Sequence, residues 1–165
     1  MILLRFRDIG VNDGESVHLH SEIAEKKEFA WWGWIRREGY EICPWDLLVR
    51  QSRELVEGPV RIAFIHTGAY SFYTAALSAI HAHPNGDPLS APELGRTPRY
   101  MHERKCAVWF GIRDFRPEPD LQVRRILSCP TLREPREIDE KLMTLSPVPA
   151  REFGHGSSTL WDVEL

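Results

Sequence analysis

The stretch Phe29-Ala30-Trp31-Trp32-Gly33-Trp34-Ile35 holds three of the chain's six tryptophans within four positions, and no other segment constrains the fold as much. It is short enough to be one strand, running from Phe29 to about Arg36. Strand side chains alternate between faces. Trp32 and Trp34 therefore share one face, while Trp31 points the other way with Phe29 and Gly33. One face goes to a core. The other needs a reason, because indole rings are seldom given to water. Gly33 between the rings implies a close approach to the backbone, by another strand or by a flat ligand. A nucleobase held between aromatic walls is the candidate occupant.

The remaining composition narrows the class. A chain of 165 residues reads most simply as one domain with room for a proper core. The formal net charge of −3 supplies no overall basic field for a long nucleic acid. Arginines nevertheless come in close pairs, at Arg5 and Arg7, Arg36 and Arg37, Arg124 and Arg125. No apolar run approaches the roughly 18 to 20 residues that span a bilayer, so no membrane partner is expected. Arg5, Arg7 and Asp8 follow a short apolar start, which is not the pattern of a signal peptide. Cys43, Cys106 and Cys129 are widely spaced and odd in number. They read as reduced thiols, and the cytoplasm is the expected compartment.

Along the chain, Ile2 to Ile9 alternates like a strand with Leu4 and Phe6 facing inward. Asn12-Asp13-Gly14 is turn chemistry. Residues 15–27 read as a helix with Val17, Ile23 and Ala24 as a sparse apolar stripe. After the tryptophan strand, Pro44 opens a second helix to about Val56, stopped by Gly58-Pro59. Val60 to His66 and Ser71 to about Ala82 form a hairpin around Thr67-Gly68-Ala69. A Pro- and Gly-rich loop from His83 to about Pro98 follows, of a length typical of lids and insertions. Ala107 to Phe115 is another strand, and Leu121 to Leu127 a short strand or helix. The expected fold is α+β: a small, mixed, strongly curved sheet or partial β-barrel with two or three flanking helices. Residues 1–130 are expected to form this globular domain. Residues 131–165 read as a Pro-containing, weakly structured extension with a short helix from Glu137 to Leu145.

This order resembles the PUA-like superfamily, which includes the EVE, YTH and ASCH domains. The residues that carry the likeness are Arg61-Ile62-Ala63-Phe64-Ile65-His66-Thr67-Gly68, the partner strand from Tyr73 to Ile80, and Val108-Trp109-Phe110. The likeness covers residues 1–127. Phe6-Arg7-Asp8, Trp31-Trp32-Gly33-Trp34, Thr97-Pro98 with Tyr100, and Cys106 with Trp109-Phe110 are also similar to a small prokaryotic domain found beside nucleotide-signalling and defence effectors. The resemblance implies recognition of a nucleotide or modified base, in nucleic acid or free, with an effector protein as a further partner. YTH-type readers use an aromatic cage, whose counterparts here would be the tryptophans.

Stacking of a base on an aromatic ring contributes on the order of 1 to 3 kcal/mol, and an extruded base also needs fixed polar groups along its edge. Trp32, Trp34 and Trp109 are the candidate walls. Thr67, Ser71, Asp8 and the backbone of Gly68 are the candidate edge contacts, and Arg5, Arg7 and Arg36 the candidate phosphate ligands. The plainer reading of each tryptophan is a core residue of a small sheet. His18 with His20 and His81 with His83 form His-x-His pairs, but neither has a Cys or carboxylate at metal spacing, so no metal is expected. Cys106 with His102 is the one local pair suited to nucleophilic catalysis, against which stands burial of the thiol at a strand start. There is no Walker A loop, Gly-x-Gly-x-x-Gly or Gly-x-Ser-x-Gly, and no cofactor is expected.

Three functions compete. One is a non-enzymatic nucleotide or modified-base reader, favoured by the tryptophan cluster, nearby arginines and the lack of a complete catalytic set. Another is an ASCH-like hydrolase of a nucleoside or RNA, which would draw on Thr67, His102, Glu103 and Lys105. The third is a protein-binding accessory module using an apolar patch at Trp31 or Trp161. The reader is the reading adopted.

Overall fold

The computed structural model describes residues 1–8, 10–37, 41–128 and 159–165. Among these residues, seven strands and two α-helices follow one another as β1 (Ile2–Phe6), α1 (Glu15–Lys27), β2 (Ala30–Trp34), α2 (Trp45–Glu57), β3 (Val60–His66), β4 (Ser71–Ala82), β5 (Val108–Pro117), β6 (Arg125–Ser128) and β7 (Leu160–Glu164). Two 3-10 turns, Leu94–Arg96 and Arg99–Met101, lie in the long loop before β5. The strands form one mixed sheet in the order β2-β5-β4-β3-β1-β7-β6. β1 runs parallel to β3, and every other pairing is antiparallel.

The sheet is open at β2 and β6 but strongly curled. Three strands separate β1 from β2, which in a flat sheet would hold their backbones about 19 Å apart at the usual interstrand spacing. Instead, the Phe6 ring on β1 meets the Trp32 ring on β2 edge-on, with centroids 5.1 Å apart. Two irregularities in the β4–β5 ladder help the sheet bend: an extra residue in β4 between Leu77 and Ala79, and one in β5 between Arg113 and Arg116, where Asp114 takes φ 53°. Such bulges raise the local twist.

Curling divides the apolar residues among three clusters. The concave face gathers Leu4, Phe6, Trp32, Trp34, Phe64 and Phe110, closed off by Leu47 and Leu48 of α2. On the convex face, Leu121, Val123 and Ile126 pack over Leu3, Ile65 and Trp161. Elsewhere on that face, the loop before β5 lays Leu89, Tyr100, Met101 and Cys106 over Trp31 and Trp109.

Alternation along β2 sends Trp32 and Trp34 to the concave cluster and Trp31 to the convex one, as a regular strand requires. The convex side also accounts for the glycine. Gly33 stands opposite Trp109, and Trp31 opposite Gly111, so each indole lies across from a residue without a side chain. What the missing side chain of Gly33 makes room for is the neighbouring core: an added Cβ would lie 2.4 Å from Cys106 Sγ and 2.8 Å from Met101 Cε.

The end of the chain departs from the expected weakly structured extension. Leu160–Glu164 forms β7, inserted between β1 and β6, with Trp161 fully buried opposite Leu3. A five-residue strand whose partner begins at the opposite end of the chain has no local sequence signal; only the non-local pairing defines it. The helix expected from Glu137 to Leu145 lies outside the described residues. Of residues 121–127, read as strand or helix, 125–127 belong to strand β6.

Replacing Gly33 by Ala is expected to destabilise the protein by about 1 to 3 kcal/mol through overpacking, measured by chemical denaturation. Adding Cys106→Ala to that variant removes the closest clashing atom and is expected to recover part of the loss, so a double variant no more stable than Gly33→Ala would contradict this packing.

Candidate nucleotide-binding cavity

Where the curled sheet fails to close, the seam between β1 and β2 holds a cavity of about 500 Å³. Leu4, Arg5, Phe6 and Arg7 form one bank, and Trp32, Gly33, Trp34 and Ile35 the other. Ser16 and His20 of α1, Thr67 of the β3–β4 turn, Thr159, and Tyr100, Met101 and Arg104 from the loop before β5 complete the lining.

Of the residues singled out in the sequence, Trp32, Trp34, Thr67, Arg5 and Arg7 line this cavity. Trp109 does not. It is fully buried on the convex side, where its indole N–H donates to the Leu89 carbonyl at 2.9 Å. Ser71 is the first residue of β4, paired with His66, and Gly68 packs beside the His66 ring in the turn. Arg36 lies close to the contact between Cys43 and Gly86. Asp8 sits behind the wall with its side chain almost wholly covered.

Asp8 has a different task, in organising the start of α1. Gly14, at the helix N-cap, has no side chain to cap with. The Asp8 carboxylate takes that place, accepting the backbone N–H groups of Gly14 at 2.7 Å and Ser16 at 3.2 Å. It also faces His66 Nε2 at 2.9 Å. Since the Ala69 N–H donates to His66 Nδ1 at 2.9 Å, the imidazole proton is on Nε2 and is donated to Asp8. Burial raises the Asp8 pKa, but the hydrogen bonds from Ser16, Gly14 and His66 outweigh it and hold the carboxyl below its ordinary value.

The two tryptophans of the cavity differ. Trp32 is packed among rings: stacked on Phe115 with centroids 5.5 Å apart, edge-on to Phe6 and Phe64, and 4.3 Å from His20. Trp34 makes no aromatic ring contact among the described residues. It is pinned by its edge instead: its Nε1–H donates to Thr159 Oγ1 at 2.9 Å, and that hydroxyl donates to the Glu41 carboxylate at 2.9 Å. Glu41, only 1% exposed, also accepts the backbone N–H groups of Thr159 and Arg37. This chain of bonds ties the end of β2 to the start of β7 across the seam.

The charge of the lining is one-sided. Arg5, Arg7 and Arg104 face it, and no Asp or Glu is among the described residues that line it. Arg7 and Arg104 are exposed and make no salt bridge among the described residues. Arg5 is half-buried, with its guanidinium 6.0 Å from the Trp161 ring. Burial and the nearby Arg37 lower its pKa, while Glu41 pulls the other way; the group remains a cation.

Sequence reasoning missed Ser16, His20, Tyr100 and Arg104. The signal for the first two was their i, i+4 spacing on α1, whose buried side is this polar pair and not the sparse apolar stripe. His18, by contrast, is exposed beside Glu22. Among the described residues no three His, Cys, Asp or Glu side chains gather in a metal-binding group. His102 turns to the Thr97 carbonyl at 2.9 Å, and burial pushes the Cys106 thiol up to about 12, so Cys106 is a neutral thiol at physiological pH. Glu103 and Lys105 are exposed and do not line the cavity.

His20 makes the cavity wall acid-sensitive. Its ring is 2% exposed, and its Nδ1–H donates to the Ser16 carbonyl at 2.6 Å. Burial lowers its pKa from 6.5 to about 4, against the pull of the Ser16 and Trp31 carbonyls. A depressed histidine pKa gives stability that is present above pH 6.5 and lost as pH falls from there toward 4. Unfolding free energy is expected to drop by about 2 to 3 kcal/mol between pH 7 and 4.5 from this group alone, and a His20→Gln variant should lack that part of the slope. Equal pH slopes for both proteins in urea denaturation would refute the assignment.

Among the described residues no helix is long and apolar enough to cross a membrane. A family model described as Pua-like matches residues 2–141. Comparison with curated proteins and with solved structures gives no match. A Pua-like domain points to a nucleic-acid or nucleotide-binding fold. An open, curled mixed sheet flanked by two helices, matched over most of its length, places this chain in the Pua-like family.

Proposed function

We propose that the seam cavity binds a nucleotide or a modified nucleobase, free or within nucleic acid, and that the protein acts as a reader of it. The observation that carries this reading is the pairing of aromatic walls with a one-sided charge. Among the described residues, three arginines and no carboxylate line an aromatic cavity in a chain whose net charge is −3. An anion is the natural complement of such a rim, and a flat ring the complement of such walls.

The base lies against Trp34, the cavity tryptophan with no aromatic ring contact among the described residues, with Tyr100 on the loop side. The phosphate stays at the mouth with Arg7 and Arg104, which are exposed and without a salt bridge among the described residues. Trp32 frames the wall, since its ring is already packed by Phe115, Phe6, Phe64 and His20. Trp109 has no part in the pocket in this reading. An aromatic cage of the YTH kind, a modified base as the natural ligand, and an association with defence effectors belong to the same proposal.

Titration with mononucleotides, cyclic nucleotides and short single strands carrying methylated bases, followed by tryptophan fluorescence, is expected to give a saturable change for at least one ligand. Converting Arg7 and Arg104 together to Gln should weaken it at least tenfold and flatten its salt dependence, with the fold intact because both side chains are exposed. No saturable change with any of these ligands would overturn the reading.

A further inference from the structure

Three neutral polar groups around the seam cavity, Thr67, Thr159 and His20, hold their protons within the protein. The Thr67 hydroxyl donates to the Phe6 carbonyl at 2.8 Å. The Thr159 hydroxyl donates to Glu41, and its oxygen already accepts the Trp34 N–H. The one proton of neutral His20 is on Nδ1, bonded to the Ser16 carbonyl. What these groups leave for an occupant is lone pairs. Cationic donors are supplied by the exposed guanidinium groups of Arg7 and Arg104.

The lining thus sets cationic donors on the arginines beside acceptor lone pairs on these three neutral groups. We propose that the cavity selects an anion whose inserted ring carries an N–H donor on its edge, and that the Thr67 hydroxyl oxygen accepts it. This rests on the nucleotide reading above. Thr67 is the suitable acceptor, because it is partly exposed, whereas His20 Nε2 is shielded and Thr159 is occupied. A ring edge that presents only acceptors to Thr67 would set lone pairs against lone pairs there and leave both sides unsatisfied. Sites built for a hydrogen bond reject analogues lacking it more strongly than apolar pockets reject a missing methylene. The favoured rings are therefore amino-bearing, against the same ring with hydrogen in place of the amino group.

The test compares two matched pairs by fluorescence and calorimetry: adenosine against purine riboside 5′-monophosphate, both as the monophosphate, and cytidine against 2-pyrimidinone riboside, likewise as monophosphates. In at least one pair the amino-bearing nucleotide is expected to bind at least tenfold more tightly. Thr67→Val, which keeps the shape and removes the oxygen, should abolish the preference, and Thr67→Ser should retain it. Equal affinities within each pair for the unmodified protein would overturn the inference while leaving the nucleotide reading in place. A preference that survives Thr67→Val in a folded protein would remove Thr67 from the role. If neither pair binds and the wider ligand panel is also silent, the nucleotide reading falls and this inference with it.

Discussion

The structure depends on the contact between Phe6 and Trp32 across the concave side of the sheet. Strands that far apart in the sheet order touch only if the sheet curls, and the rings supply the volume that makes curling favourable. Phe64 and Phe115 join the same cluster, so a continuous aromatic packing runs from β1 through β3 and β5 to β2. Large rings bury much apolar area per residue and favour edge-on and offset contacts. The bulges in β4 and β5 let the backbone follow. The seam between β1 and β2 is what remains when curling stops short of closure.

Keeping that seam open at a defined width falls to polar groups. The Trp34–Thr159–Glu41 chain bridges it at one end, with the buried carboxylate satisfied by hydroxyl and backbone donors. At the other end, Asp8 joins the start of α1 to His66, which sets Ser16 and His20 against the cavity. Both devices use acids that are buried and engaged. Asp8 and Glu41 are therefore occupied behind the wall, and among the described residues the arginines alone give the lining its charge. A site for an anion arises in an acidic protein through that arrangement, without any overall basic field.

Much of the architecture was legible in the chain. The alternation of Trp31 against Trp32 and Trp34, the α2 signals at Pro44 and Gly58, and the hairpin around Thr67 and Gly68 are local patterns, each set by period or turn chemistry over a few residues. Gly33 correctly announced a close approach, but its source was Cys106 and Met101, residues some seventy positions away in the chain. Trp109 looked equivalent to the other indoles, since a strand pattern cannot say which face becomes the inside of a curl.

From the sequence alone came most of the elements, the alternation of Trp31 against Trp32 and Trp34, and an aromatic strand rich enough to build a core or a pocket. Periodicity and turn residues act over short range, so they are written in neighbouring letters. Only the tertiary structure decided which indole faces the cavity, that Asp8 serves as a distant helix cap, that Ser16, His20, Tyr100 and Arg104 join the site, and that Leu160–Glu164 belongs to the sheet. Those outcomes depend on where the curling sheet brings remote segments together, and on which polar groups have already found partners when it does. No short stretch of sequence carries that information.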